Sequence, residues 1–150
     1  MARSVEQLMT TQPVVVDADT QVLECARQME RREIGAVGVT REGRLIGVLT
    51  DRDIVIRAVA YDRDPRPIAA GEIASRDVVV IPAAASIEDA DQRMRERAVR
   101  RLFVVDADGA PLGIITADDL TALRYPDSVV AHQLGEWGLG YSDQGYTGQG

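Results

Sequence analysis

The feature that most constrains this chain is an internal duplication. Gly47-Val48-Leu49-Thr50-Asp51-Arg52-Asp53 recurs as Gly113-Ile114-Ile115-Thr116-Ala117-Asp118-Asp119, 66 positions later. Upstream the register is 65, so that Val22 and Met29 match Ile87 and Met94. A repeat of this period is one supersecondary unit used twice, and each local signal is read within it.

Each copy reads as strand, helix, strand, strand, helix, which predicts a mixed α/β (α+β) fold of two tandem β-α-β-β-α units. In copy one, residues 14–16 are a short β-branched strand. Val22, Leu23, Ala26 and Met29 then fall on one helical face, and the helix is expected to end near Arg32, before Gly35. Residues 36–40 and 45–49 form a hairpin turned by residues 41–44, where Gly43 supplies a positive φ. Copy two repeats the pattern with 102–105, the turn 106–109, and 112–115. Helices over 51–61 and 117–123 follow directly.

One copy alone leaves an apolar face uncovered, so the two are expected to pack against each other about an approximate twofold axis. The organisation is thus a first repeat over 1–64 and a second over 65–125, forming one module, then a Gly- and aromatic-rich tail over 126–150. Residues 62–67, polar and proline-punctuated, read as the connector. In the tail, 127–134 is compatible with a short helix. Trp137, Tyr141 and Tyr146 beyond it read either as part of a flexible segment or as an arm that docks on the body or on a second chain.

A chain of 150 residues buries roughly 70% of its unfolded surface in a single core and is short for two independent ones. Its 45% apolar and 27% charged residues are those of a globular protein. No apolar run reaches the ~20 residues of a membrane-spanning helix, and the first residues lack a secretory pattern, so a cytoplasmic location and no membrane partner are expected. With Cys25 the only cysteine and His132 the only histidine, neither a disulfide framework nor a zinc-type ligand set can be assembled. The net charge of −7 argues against a nucleic acid polymer as partner.

The Gly-apolar-apolar-Thr-x-x-Asp motif lies at a strand-to-helix junction in both copies. Free N–H groups and the helix dipole favour an anion there, and the hydroxyls of Thr50 and Thr116 can add a donor. Asp53 and Asp119, one turn further, can accept hydrogen bonds from the two hydroxyls of a ribose. The same spacing is also close to a capping box, in which threonine and aspartate only satisfy free amides.

With these residues in view, the chain resembles paired CBS domains, the Bateman module, over residues 5–124. It is particularly similar to short free-standing actinobacterial stress-type members in the stretch Leu49-Thr50-Asp51-Arg52-Asp53-Ile54-Val55-Ile56. The resemblance implies two clefts between the repeats that take AMP or another adenosine derivative as regulatory ligand, with no cofactor required. The ribose would meet Thr50 with Asp53, and Thr116 with Asp119. The base would meet Ile34, Gly35, Ala36 and Val37, their counterparts Val99, Arg100, Arg101 and Leu102, and the chain around Pro13-Val14 and Asp77-Val78.

Where copy one has Gly35-Ala36, copy two has Arg100-Arg101, matching positions at which family members place phosphate contacts; the alternative is a pair of solvated charges at a strand edge. The resemblance also implies a homodimer through exposed helix faces, here including Ile54, Val55, Ala58 and Val59. The function expected is a non-catalytic adenine-nucleotide sensor acting on an unknown target protein. The alternative is a ligand-free dimerisation or interaction module of the stress-response type.

Overall fold

We describe residues 3–124 from a computed structural model. In chain order the elements are α1 (Val5–Leu8), β1 (Thr10–Thr11), β2 (Val15–Asp17), α2 (Val22–Arg32), β3 (Ala36–Arg41), β4 (Arg44–Thr50) and α3 (Asp51–Arg57). A 3-10 turn (Val59–Tyr61) follows, then α4 (Ala70–Ile73), β5 (Val80–Pro82), α5 (Ile87–Arg97), β6 (Arg101–Val105), β7 (Pro111–Thr116) and α6 (Ala117–Arg124). The expected β-α-β-β-α order appears twice, as β2-α2-β3-β4-α3 and β5-α5-β6-β7-α6. The tail expected over 126–150 lies outside the described residues.

Local chemistry sets the element ends. Val22, Cys25 and Met29 are buried along one face of α2, and Ile87, Ala90 and Met94 along one face of α5. Both helices stop on a left-handed residue, Glu33 (φ 55°) and Ala98 (φ 55°), whose following amides donate back to Met29 and Met94. This closure satisfies carbonyls the last turn leaves free. In the β3–β4 hairpin, Glu42 (φ 54°) and Gly43 (φ 80°) form the two-residue turn whose twist suits adjoining strands. The single helix expected over 51–61 is interrupted at Ala58, where φ −121° and ψ −62° leave the helical region before the 3-10 turn.

Two sheets result, β2-β3-β4 and β1-β7-β6-β5. The strands joined through α2 and α5 pair in parallel, β2 with β3 and β5 with β6, and each hairpin is antiparallel. The packing units do not follow the sequence repeats. One compact unit is Val14–Val78; the other joins residues 3–13 to 79–124. Thus α1 and β1, which precede the first repeat's strand, belong to the second repeat's sheet: Val5 N–H donates to Ala85 O (2.8 Å), and Thr10 pairs with Ile114. Likewise α4 belongs to the first repeat, with Ala70 N–H donating to Thr20 O (2.7 Å) and Ser75 bridged to Val48.

The expectation of one core is corrected here. Val16, Val22, Cys25, Val37, Val39 and Leu49 anchor one buried cluster, and Val5, Ile81, Leu102, Val104 and Ile115 anchor another. Each sheet, covered by two longer helices and one borrowed short one, encloses its own apolar residues. That is why a chain of this length supports two small cores.

Cys25 is fully buried, and desolvation, with a smaller contribution from the charge of Glu24, pushes its thiol up to about 11. A buried neutral thiol is a poor nucleophile. We expect iodoacetamide at pH 8 to leave the native protein unmodified and to alkylate Cys25 at the rate of unfolding. Because the thiol ionises more readily in the unfolded chain, this group's contribution to stability is intact below pH 9 and is lost as pH rises toward 11. A denaturation midpoint that stays level across that window in the wild type but falls in Cys25→Ala would contradict this.

Candidate functional site

Each repeat carries a Thr-Asp pair at its strand-to-helix junction, and the two are built alike. At the β4–α3 junction, Thr50 is extended (φ −107°, ψ 163°) and caps α3. Its Oγ1 accepts the Asp53 amide at 3.0 Å, while its own amide donates to Asp53 Oδ2 at 2.9 Å. At the β7–α6 junction, Thr116 N–H donates to Asp119 Oδ2 at 2.9 Å, and Asp119 N–H donates to Thr116 Oγ1 at 3.2 Å. The capping box that the sequence left open is therefore formed in both copies. It satisfies amides that a helix start leaves unpaired and holds each carboxylate at a fixed place.

The glycine of the motif has a packing role. A Cβ on Gly47 would lie 2.6 Å from Ser75 O, and one on Gly113 would lie 2.6 Å from Thr10 O and from Met9 Sδ. Only a residue without a side chain lets the borrowed segment run this close to the strand.

The other expected contacts fall in three groups. Ile34, Gly35 and Ala36, like Val99, Arg100 and Arg101, lie at the entry to the middle strand beside the capped junction: Asp51 N–H donates to Gly35 O (2.9 Å), and Ala117 N–H to Arg100 O (2.8 Å). The side chains of Val37 and Leu102, one position further along each strand, are buried in the two cores. Pro13 and Val14 precede β2, but their counterparts are Val78 and Val79: Val14 O accepts from Gly38 as Val79 O accepts from Phe103. Asp77 is exposed, one position outside that register.

Arg100 and Arg101 differ. Arg100 is half-exposed and pairs with Asp118, Nη2 to Oδ1 at 3.2 Å. Arg101 opens β6 opposite Thr116. Arg100 immediately precedes β6, whose first residue is Arg101. A cavity of about 210 Å³ lies between α5 and α6, lined by Asp91, Met94, Arg95, Val99, Arg100, Ala117, Leu120 and Thr121. It takes in two expected contacts, Val99 and Arg100, and is smaller than the ~300 Å³ at which small-molecule sites begin.

Sequence reasoning missed Ser75, Arg57 and the short helices α1 and α4. Ser75 Oγ donates to Asp53 Oδ1 (3.3 Å), and Arg57 Nη1 lies 3.7 Å from the same oxygen while donating to Ile73 O (2.7 Å). A signal existed. Gln7 and Glu72, 65 apart, accept from the Ser4 and Ala69 amides at the start of α1 and α4. Among the described residues no three of His, Cys, Asp and Glu cluster as a metal site, and no helix is long and apolar enough to cross a membrane.

A twice-used β-α-β-β-α unit with a capped Thr-Asp pair at matched junctions defines a tandem-repeat α/β protein. The CBS domain model matches residues 5–59 and again 70–125, and the chain belongs to the CBS domain family. It is 38% identical over 118 residues to the CBS domain-containing protein YhcV of Bacillus subtilis, covering 78% of this chain and 82% of that one. To hypoxic response protein 1 of Mycobacterium tuberculosis it is 37% identical over 106 residues, 70% and 73% of the two chains. The crystal structure of Hypoxic Response Protein I, with two coordinated zinc ions, matches with a TM-score of 0.72 at 32% identity, over 81% of this chain and 98% of that one. CBS domain protein PAE2072 from Pyrobaculum aerophilum, complexed with AMP, matches with a TM-score of 0.67 at 24% identity, over 78% and 89%, a likeness of fold.

Proposed function

We propose that this chain is a regulatory sensor of adenosine nucleotides that binds its ligand without transforming it. The observation that carries the reading is the repetition, at matched junctions, of a Thr-Asp pair held by reciprocal hydrogen bonds beside a partly buried strand entry. A PAE2072 chain of the same fold, complexed with AMP, supports the ligand class. Chemically, a carboxylate fixed in place is a good acceptor for ribose hydroxyls, and a neighbouring guanidinium, here Arg100, suits a phosphate. The motif residues bind and orient; no proton transfer or covalent step is assigned to them.

A second reading, an interaction module, is favoured by one observation. Val55 (56% exposed), Ile56, Val59 and Tyr61 (73% exposed) leave an apolar surface on α3 and the turn after it. Ile54 and Ala58, expected on that surface, pack against the core instead. We propose that this surface pairs two copies in a homodimer, which is compatible with the sensor role.

One experiment addresses both readings. Protein purified under native conditions is analysed by mass spectrometry for carried-over nucleotide, titrated calorimetrically with AMP, and weighed by light scattering. Saturable AMP binding at micromolar concentrations and a dimer mass are expected. A dimer that takes up no adenosine derivative would favour the interaction module, and a monomer at tens of micromolar would rule out the dimer.

A further inference from the structure

The two motif carboxylates differ in what else holds them. In the second repeat, Asp119 gives Oδ2 to the cap, and among the described residues its Oδ1 has no hydrogen-bond partner. In the first, Asp53 gives Oδ2 to the cap, its Oδ1 accepts from Ser75 Oγ at 3.3 Å, and Arg57 Nη1 stands 3.7 Å from that same oxygen. Arg57 in turn donates to Ile73 O at 2.7 Å, so that Asp53, Arg57 and Ser75 tie α3 to α4 and the chain following it. Asp53 is only 9% exposed, the one charged side chain among the described residues that is buried.

The difference has a sequence origin. The position matching Arg57, 66 residues on, is Leu123, which has no cation to offer a carboxylate. The position matching Ser75 is Thr10, since Ser75 bridges Val48 as Thr10 pairs with Ile114. Thr10 carries a hydroxyl but is exposed and makes no bond to Asp119.

We infer that Asp53 is committed to an internal latch, and that Asp119 alone is the motif carboxylate open to a ligand's hydroxyls, so that adenosine recognition in this chain is one-sided. The second half of this inference rests on the sensor reading above; the first half stands without it. A ribose offers two adjacent hydroxyls that together need free acceptor positions. Asp119 Oδ1 retains its lone pairs, whereas those of Asp53 Oδ1 are engaged by a hydroxyl and faced by a cation in a buried setting. Withdrawing Asp53 from Ser75 and Arg57 to bind a ribose would leave a half-buried serine and an arginine to find new partners, a cost that Asp119 does not carry.

The test compares Asp53→Asn, Asp119→Asn and Ser75→Ala in the full chain. Asparagine keeps one acceptor oxygen, enough to preserve the cap at either position, but turns an amide N–H2 toward whatever Oδ1 faced. In the ligand-free protein, Asp53→Asn is expected to lower Tm by about 3–10 °C, with Asp119→Asn within about 2 °C of wild type. Ser75→Ala gives a smaller loss that does not add to that of Asp53→Asn, because the two residues share one bond. Calorimetric titration with AMP is expected to give one site per chain in the wild type and none in Asp119→Asn at ten times the wild-type Kd. Equal Tm losses for the two asparagine variants, or full additivity with Ser75→Ala, would overturn the latch. A comparable AMP site surviving in Asp119→Asn would overturn the one-sidedness. A wild-type chain that ignores AMP while the Tm difference holds would refute the sensor reading and the one-sidedness, leaving the latch in place.

Discussion

Gly47→Ala is expected to destabilise the protein by about 2–5 kcal/mol, lowering Tm by about 5–15 °C. The added methyl would meet Ser75 O at 2.6 Å, and that oxygen belongs to main chain and cannot swing aside as a side chain would. It also accepts the Val48 amide at 2.9 Å, while Ser75 N–H donates to Val48 O at 2.8 Å. The methyl therefore forces apart a reciprocal pair of backbone bonds as well as a tight contact. Since Ser75 also holds Asp53, the same change loosens the latch.

Gly113→Ala is expected to act similarly through Thr10 O, with Met9 Sδ yielding more readily because it ends a flexible side chain. Gly43→Ala is the control. At φ 80° with nothing within 4 Å of an added Cβ, it carries only the backbone penalty of about 1 kcal/mol. Thermal unfolding of the three variants checks the order. A Gly47→Ala protein no less stable than Gly43→Ala would show that the borrowed segment is not held against β4 as described.

Arg100→Ala is expected to weaken AMP binding by roughly 10- to 150-fold, the equivalent of a charge-assisted hydrogen bond worth about 1.5–3 kcal/mol, while adenosine binding barely changes. Arg100 is already engaged by Asp118 at 3.2 Å, with the arginine side chain 47% exposed and the aspartate 16% exposed. A pair this open to solvent contributes about 0–1 kcal/mol, so a phosphate that takes the guanidinium gains more than the pair loses. Asp118→Asn, which removes the competitor, is accordingly expected to strengthen AMP binding by a few fold.

Arg101→Ala gives the comparison for its neighbour, the first residue of β6. Calorimetric titrations of each variant with AMP and with adenosine separate phosphate recognition from a general disturbance of the site. Equal losses for both ligands, or none for either, would show that these arginines do not read a phosphate.

The duplication, the order of elements, the hairpins and the capped junctions are all legible in the sequence because each rests on neighbours within one turn or one strand. Apolar spacing along α2, a glycine where φ is positive, and a threonine three residues before an aspartate act locally, whatever the rest of the chain does. The expected hairpin strands differ from the observed ones by a residue or so at their ends, for the same reason.

Only tertiary structure decided which repeat owns which segment. The four-residue helices α1 and α4 carry barely one turn of periodicity, too little to signal a helix or the face it presents. Their assignment to the opposite repeat's sheet follows from backbone bonds such as Val5 to Ala85 and Ala70 to Thr20, which span long stretches of chain. The same holds for the asymmetry of the two Thr-Asp junctions. Thr50-Asp53 and Thr116-Asp119 look equivalent as motifs, and what separates them is Arg57, one turn further where the second repeat has Leu123, together with a serine 22 residues from Asp53 that only folding brings to it. A capping box needs only its own turn, whereas the fate of the second carboxylate oxygen depends on what packing brings beside it.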